Sequence, residues 1–357
     1  MDKPYPSVEY AEYLKLDQLL GSQSPKSLEY GRPAHDEMLF VIVHQAYELW
    51  FKQILHELDS VLALFRADSV DERSIGIALR RLARVTEIQK LLVDQLRVLE
   101  TMTPLDFLDF RDFLVPASGF QSLQFRLIET KLGLRAEHRA LSSPERQAEL
   151  RAAEAEPSLF ALVERWLERT PFLETPGFPF WSSYGQAVDA MLARDRRTIE
   201  GNATLPDGDK RREVAQLERT AASFAAVLDE ATHEKLVTDG QRRLSWRATK
   251  AALFIHLYRD QPILHLPFQF LTTLVDVDEL LATWRYRHAF MVHRMIGTKI
   301  GTGGSSGHQY LLGTVERNKI FGDLYDLSTF LISRTSLPAL PPEMERRLGF
   351  FYPRESA

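Results

Sequence analysis

The apolar residues of this chain recur at steps of three and four over most of its length, and that spacing admits one kind of secondary structure. From Leu39 the series runs Ile42, Val43, Ala46, Leu49, Trp50, Ile54, Leu58, Val61, Leu62 and Phe65. Such steps stack side chains on one face of a helix with 3.6 residues per turn. A second series runs Ile75, Leu79, Leu82, Val85, Ile88, Leu92, Leu96, Leu99, and a third Leu217, Ala221, Phe224, Leu228, Ala231. A fourth runs Leu280, Trp284, His288, Met291, Met295, and a fifth Phe321, Leu324, Leu327, Leu331. The period-two alternation of a half-buried strand is hard to find anywhere. The pattern predicts an all-α, multi-helix fold.

Breakers fall between the runs: Pro104, Pro116 to Gly119, Pro171 to Pro179, Asn202 to Gly208, Pro262 to Pro267, and Gly301 to Gly307. Arg135 to Glu156 and much of Arg194 to Arg219 are rich in Ala, Glu and Arg and only weakly amphipathic. Both are expected to form solvated helices or connectors around a core built from the other segments. The expected organisation is an N-terminal arm over 1–30, a single helical domain over 31–335 with charged insertions at about 130–250, and a tail over 336–357. Within the tail, Leu337 to Pro342 is Pro-rich and either packs as an extended strap or frays.

Composition matters chiefly through what is missing. The chain of 357 residues contains no cysteine, so it has no disulfide framework and no thiolate to offer a metal. Cys-based zinc sites, iron–sulfur clusters and thiolate-ligated haem are excluded. Any metal must be held by His, Met, Tyr or carboxylates. A net charge of −5 gives no general pull toward nucleic acid or anionic membranes, and neither is expected as a partner. No run approaches the roughly 18 uninterrupted apolar residues of a membrane span. The N-terminal MDKPYPSVEYAEYLKLDQLL carries prolines and acids where a signal peptide needs an apolar run, so the expected location is the cytoplasm.

Four places hold residues with chemistry to offer. His44 lies one turn from Phe40 and one turn from Tyr47 on an aromatic helical face. It is either a core histidine bonded to a backbone carbonyl or a histidine facing a pocket for a flat ligand with one N–H. His288 shares its face with Trp284, Met291, Val292 and Met295, which suits a structural imidazole or the proximal wall of a haem pocket. Nearby Arg285, Arg287 and Arg294 either meet anionic groups or line the solvent side. Arg111 follows Phe107 by one turn, and its planar fork fits a carboxylate ligand or a neighbouring Asp106, Asp109 or Asp112. The segment Gly301-Thr302-Gly303-Gly304-Ser305-Ser306-Gly307 is either a flexible linker or a loop whose N–H groups cradle a small anion.

Other readings fail. The Gly-rich loop lacks GxxxxGK[ST], and its letter-for-letter GxSxG match has no strand leading into it. Glu230-Ala-Thr-His233 is a lone Glu-x-x-His where a di-iron bundle needs two, and HExxH is absent.

Taken together, five stretches resemble one family. HDEMLFVIVHQAYELWFKQILHELDSV (His35 to Val61), SGFQSLQFRLIE (Ser118 to Glu129), WLERTP (Trp166 to Pro171), RRLSWRA (Arg242 to Ala248) and PFQFLTTLVDVDELLATWRYRHAFMVHRMIGTKIGTGGSSGHQYL (Pro267 to Leu311) are similar to the tryptophan 2,3-dioxygenases, in the same order. HQAYELWFKQIL and GTGGSSG are the most specific blocks, and the likeness runs from about Tyr10 to Arg334.

The resemblance implies haem b, active as Fe(II), with His288 as axial iron ligand and Trp284, Ser118, Gly119, Arg126, Met291 and Val292 around the cofactor. It implies L-tryptophan and O2 as substrates and His44 as the catalytic, distal histidine. Phe40, Val41, Ile42, Val43 and His44 would meet the indole side, with Phe107 standing where some members have Tyr. Arg111 would grip the carboxylate and Thr302 the amino-acid end. Tyr10 and Tyr13 would reach a neighbouring subunit's pocket from the N-terminal arm of a homotetramer. The implied reaction opens the indole C2–C3 bond to give N-formyl-L-kynurenine. The alternatives are a haem-dependent monooxygenase of substituted tryptophans and, from another class, a haem sensor or inactive tryptophan-binding module.

Overall fold

A computed structural model describes residues 5–135, 146–171, 173, 178–299, 301 and 307–350. Short helices α1 (Tyr10–Leu14), α2 (Leu16–Leu20) and α3 (Lys26–Glu29) precede the long pair α4 (Glu37–Phe65) and α5 (Glu72–Leu99). Then come α6 (Pro104–Arg111), α7 (Leu123–Leu132), α8 (Gln147–Glu154) and α9 (Leu159–Glu168). A second group holds α10 (Phe180–Gly201), α11 (Asp207–Leu228), α12 (Glu230–Thr238) and α13 (Trp246–Leu257). The chain continues through α14 (Pro262–Ile296) to α15 (Gly307–Arg317), α16 (Gly322–Asp326) and α17 (Pro342–Leu348). No β-strand occurs among the described residues, as the periodicity requires.

Three long helices form the frame. α5 packs most extensively on α14, and α4 on α5. The six-residue link between α4 and α5 makes them antiparallel neighbours, and Asp71 starts α5 by accepting from the Ser74 N–H at 2.7 Å. Leu58, Val61, Leu82, Phe270, Leu271 and Leu274 are sealed from solvent. Each such side chain contributes roughly 1.5–3 kcal/mol by burial. Two polar contacts fix the helices lengthwise within this apolar seam. The Tyr47 hydroxyl donates to the Leu92 carbonyl at 2.6 Å, and Gln89 Nε2 donates to the Val277 carbonyl at 3.1 Å.

Two expectations about boundaries are corrected. Pro262 to Pro267 does not break the chain, because both prolines lie within α14. Pro262 occupies the first turn, whose N–H groups have no intrahelical partner, and Pro267 sits just beyond it, where one carbonyl goes unserved. The third apolar run spans two helices: α11 ends at Leu228, and Asp229 caps α12 by accepting from the Thr232 N–H at 2.8 Å.

The described parts of the charged stretches lie outside the frame. α8 buries no residue, and the α10–α11 hairpin carries exposed pairs such as Arg196–Glu218 at 2.8 Å. Exposed pairs of this kind contribute at most about 1 kcal/mol. Near the C-terminus, the Pro338 carbonyl accepts from the Tyr258 hydroxyl at 2.7 Å, and Leu340, Met344 and Leu348 are buried. No described helix is long and apolar enough to cross a membrane.

Candidate active site

A cavity with about 1590 Å³ of empty space, open mouth included, lies between α4, α6, α7 and α14, with α15 closing one side. Its lining mixes aromatic and aliphatic side chains with a few polar and charged ones, the usual make-up of a small-molecule site. Phe40 and His44 from α4, Phe107 and Arg111 from α6, and Trp284 and His288 from α14 all border it.

On the α4 wall, His44 Nδ1 lies 2.7 Å from the Phe40 carbonyl oxygen. A carbonyl only accepts, so Nδ1 carries the proton, and the neutral ring presents Nε2 as an acceptor. Withdrawal from water lowers the His44 pKa below 6.5, only partly opposed by the Phe40 carbonyl and the Glu48 carboxylate. The residue keeps accessible surface where it borders the cavity. Phe40 packs against it at 4.0 Å between ring centres and lies 5.8 Å from Phe107 and 5.5 Å from Phe110. The two sequence alternatives for His44 are both realised: it is bonded to a backbone carbonyl, and it faces a pocket. Glu48, one turn further along, also borders the cavity and is held by Gln124 Nε2 at 2.8 Å.

The α14 wall is built differently. His288 stacks on Trp284 with ring centres 5.0 Å apart and planes 5° from parallel. Its Nδ1 is buried with no hydrogen-bond partner, whereas its ring borders the cavity beside Met291, Val292 and Met295. Burial, with a small contribution from His44, pushes its pKa down to about 4. At neutral pH it is an uncharged imidazole on a soft, apolar wall, the form that ligates a metal. α14 ends at Gly297, whose φ of 61° favours glycine, and Gly301 borders the cavity just beyond. Among the described residues no cluster of three His, Asp or Glu side chains is placed to hold a metal by itself.

Arg111 sits at the end of α6, a helix fixed at its start by Thr103 and Asp106 in a reciprocal capping box with Pro104 in the first turn. Asp106 is thus engaged at the cap, and Asp112 meets the Arg111 guanidinium only at 3.6 Å. The Arg111 side chain is 18% exposed and borders the cavity. Ser118 and Gly119 reach the same space from the short 3₁₀ turn before α7, where the Ser118 hydroxyl accepts from the Phe120 N–H at 3.4 Å. From α7 itself come Phe125, Arg126 and Glu129.

Not every expected contact residue comes to the cavity. Val41, Ile42 and Val43 line none of it: Val43 is buried in the frame and Ile42 points outward, half exposed. A helix turns by about 100° per residue, so within Phe40 to His44 only the two ends share the cavity face. Tyr10 and Tyr13 are exposed on α1, away from this chain's own cavity. Thr302 lies outside the described residues.

Glu129, Thr314 and Asn318, which no pattern in the sequence singles out as site residues, also border the cavity. Glu129 comes nearest to a signal: it is an acid among the buried positions of α7, three residues after Arg126. Arg285 turns inward, while Arg287 pairs with Glu100 at 3.3 Å and Arg294 is exposed. His233 is a structural histidine, sealed and bonded to the Leu244 carbonyl at 2.9 Å.

The sequence matches the profile of the tryptophan 2,3-dioxygenase family over residues 3–331. It is 55% identical over 357 residues to a tryptophan 2,3-dioxygenase of Bdellovibrio bacteriovorus, covering 98% of this chain and 99% of that one. It is 49% identical to one of Alteromonas mediterranea, over 96% of this chain and 97% of the other. It is 48% identical to one of Dictyostelium discoideum, over 96% and 88%. With a profile match over nearly its whole length and relatives this similar end to end, the chain belongs to the tryptophan 2,3-dioxygenase family.

Proposed function

We propose that this protein opens the indole C2–C3 bond of L-tryptophan with O2 to give N-formyl-L-kynurenine, using a haem b held by His288. The observation that carries this reading is the pair of unlike imidazoles on one cavity. One has its Nδ1 occupied by a carbonyl, and the other is neutral, with its Nδ1 unbonded.

The residues fit a haem. With thiolates absent, His288 on the α14 wall would hold the haem iron, and the stacked Trp284 fixes the plane of its ring. Met291, Val292 and Phe125 give the apolar, polarisable surroundings a macrocycle needs, and Ser118, Gly119 and Arg126 border the same space. Bound ferrous haem would supply the activation of O2, which the side chains cannot provide.

The protein's own work is recognition and placement. Phe40, Phe107 and Phe110 form an aromatic wall for a flat ring. The His44 Nε2 lone pair accepts the indole N–H, and the carbonyl behind Nδ1 holds that tautomer. Arg111 takes the substrate carboxylate, and Thr302 the amino-acid end. These contacts set the C2–C3 bond at one place in the cavity and convert binding energy into orientation. Both atoms of O2 enter the product, so no external reductant is consumed. Tyr10 and Tyr13, exposed on an arm with no buried residue in its first helix, reach a neighbouring subunit of a homotetramer. The protein works in the cytoplasm.

Ferrous, haem-loaded protein given L-tryptophan should consume one O2 per tryptophan and form N-formylkynurenine with no added reductant during turnover. Tryptophan binding without O2 uptake would reduce the protein to a binding module and overturn the proposal.

A further inference from the structure

The buried polar contacts along α7 and α14 converge on one acid. Arg126 Nη1 donates to Glu129 Oε2 at 2.6 Å, and Arg285 Nη2 donates to Glu129 Oε1 at 2.8 Å. Arg285 Nη1 also donates to the Asn318 carbonyl at 3.2 Å, below α15. Arg126, Glu129 and Arg285 are 6%, 1% and 3% exposed, and all three border the cavity. Asp278, another buried acid of α14 within electrostatic reach of Arg285, is engaged elsewhere: its Oδ2 accepts from the Ile320 and Phe321 N–H groups, both at 2.9 Å. Glu129 is therefore the acid that hydrogen-bonds both guanidiniums.

Such a cluster is a poor device for stability alone. Removing three charges from water costs several kcal/mol per ion, and apolar side chains of similar volume often stabilise a core more. What it does provide is geometry and charge. Arg285 lies three residues before His288 on α14, so fixing Arg285 to α7 fixes the rotation and height of that part of the helix. The carboxylate also offsets one of the two cations, Arg126 on α7 and Arg285 on α14, that border the cavity beside the imidazole.

We infer that Glu129 is a positioning residue: by holding Arg126 and Arg285 together it sets both the orientation and the electrostatic environment of the His288 wall. This rests on the proposed haem at His288. The midpoint potential of the full-length, haem-loaded protein tests it. Glu129→Gln keeps the shape but leaves the cations uncompensated, so the midpoint shifts positive, because reduction adds negative charge. Arg126→Gln removes one cation and leaves the Glu129–Arg285 pair, so the midpoint shifts negative. A merely structural role lowers the melting temperature of the apoprotein in both variants without splitting the potentials. Midpoints that stay put, or move in the same direction, overturn the inference. If Glu129→Gln does not fold, the negative shift in Arg126→Gln carries the test alone. Wild-type protein that takes up no haem removes the proposed function and this inference with it; wild-type loading with unsplit variants removes the inference only.

Discussion

The two histidine-bearing walls of the cavity use the same side chain in opposite ways. On α4, His44 has its Nδ1 tied at 2.7 Å to the Phe40 carbonyl of its own helix, leaving the other nitrogen as an acceptor. On α14, His288 lies flat against Trp284, with Nδ1 buried and unbonded and its pKa held down at about 4. The first ring is held by a hydrogen bond within its own helix; the second is held by stacking, in the neutral form that a metal requires. The role of an imidazole is thus set by what its second nitrogen meets and by the ring packed behind it.

Removing one wall at a time sharpens the contrast. The largest effect is expected from His288→Ala: the haem absorption band of the purified protein should be lost, and turnover with it, while far-UV circular dichroism stays helical. Next comes Arg111→Ala, which takes away the cation assigned to the substrate carboxylate. It should lower kcat/KM by about 2–4 kcal/mol, or roughly 30- to 1,000-fold, with haem content unchanged. His44→Ala should cost less, about 1–2 kcal/mol in kcat/KM, and should also leave haem content intact. Haem loss in His44→Ala rather than in His288→Ala would reverse the assignment of the walls.

The smallest effect is a pH dependence that belongs to one wall. The His44 pKa is lowered from 6.5 by burial, so the ring is neutral at pH 7 and protonates only on acidification below 6.5. Protonation converts Nε2 from acceptor to donor. The kcat/KM of the wild type should therefore fall as pH drops below 6.5, and His44→Ala should lack that acid limb. An unchanged limb in the variant would assign the titration elsewhere.

The frame was legible because a three-four apolar spacing is a local signal: α4, α5 and much of α14 could be read directly from Leu39, Ile75 and Leu280 onward. The two histidines were legible for the same reason, since each shares a helical face with large apolar neighbours. What escaped was either contextual or long-range. Pro262 and Pro267 read as breakers, yet at the start of a helix a proline forfeits little. The resemblance names Val41 to Val43 with Phe40 and His44, whereas helical rotation leaves only the two ends bordering the cavity. Arg285 and Glu129 are 156 residues apart, and no spacing rule connects such a pair.

The most direct test of the central claim is the mass of the product formed from L-tryptophan by ferrous, haem-loaded protein under ¹⁸O2. The expected product is a formylkynurenine that carries both labelled atoms. A product with one labelled atom, or tryptophan recovered unchanged, would contradict it.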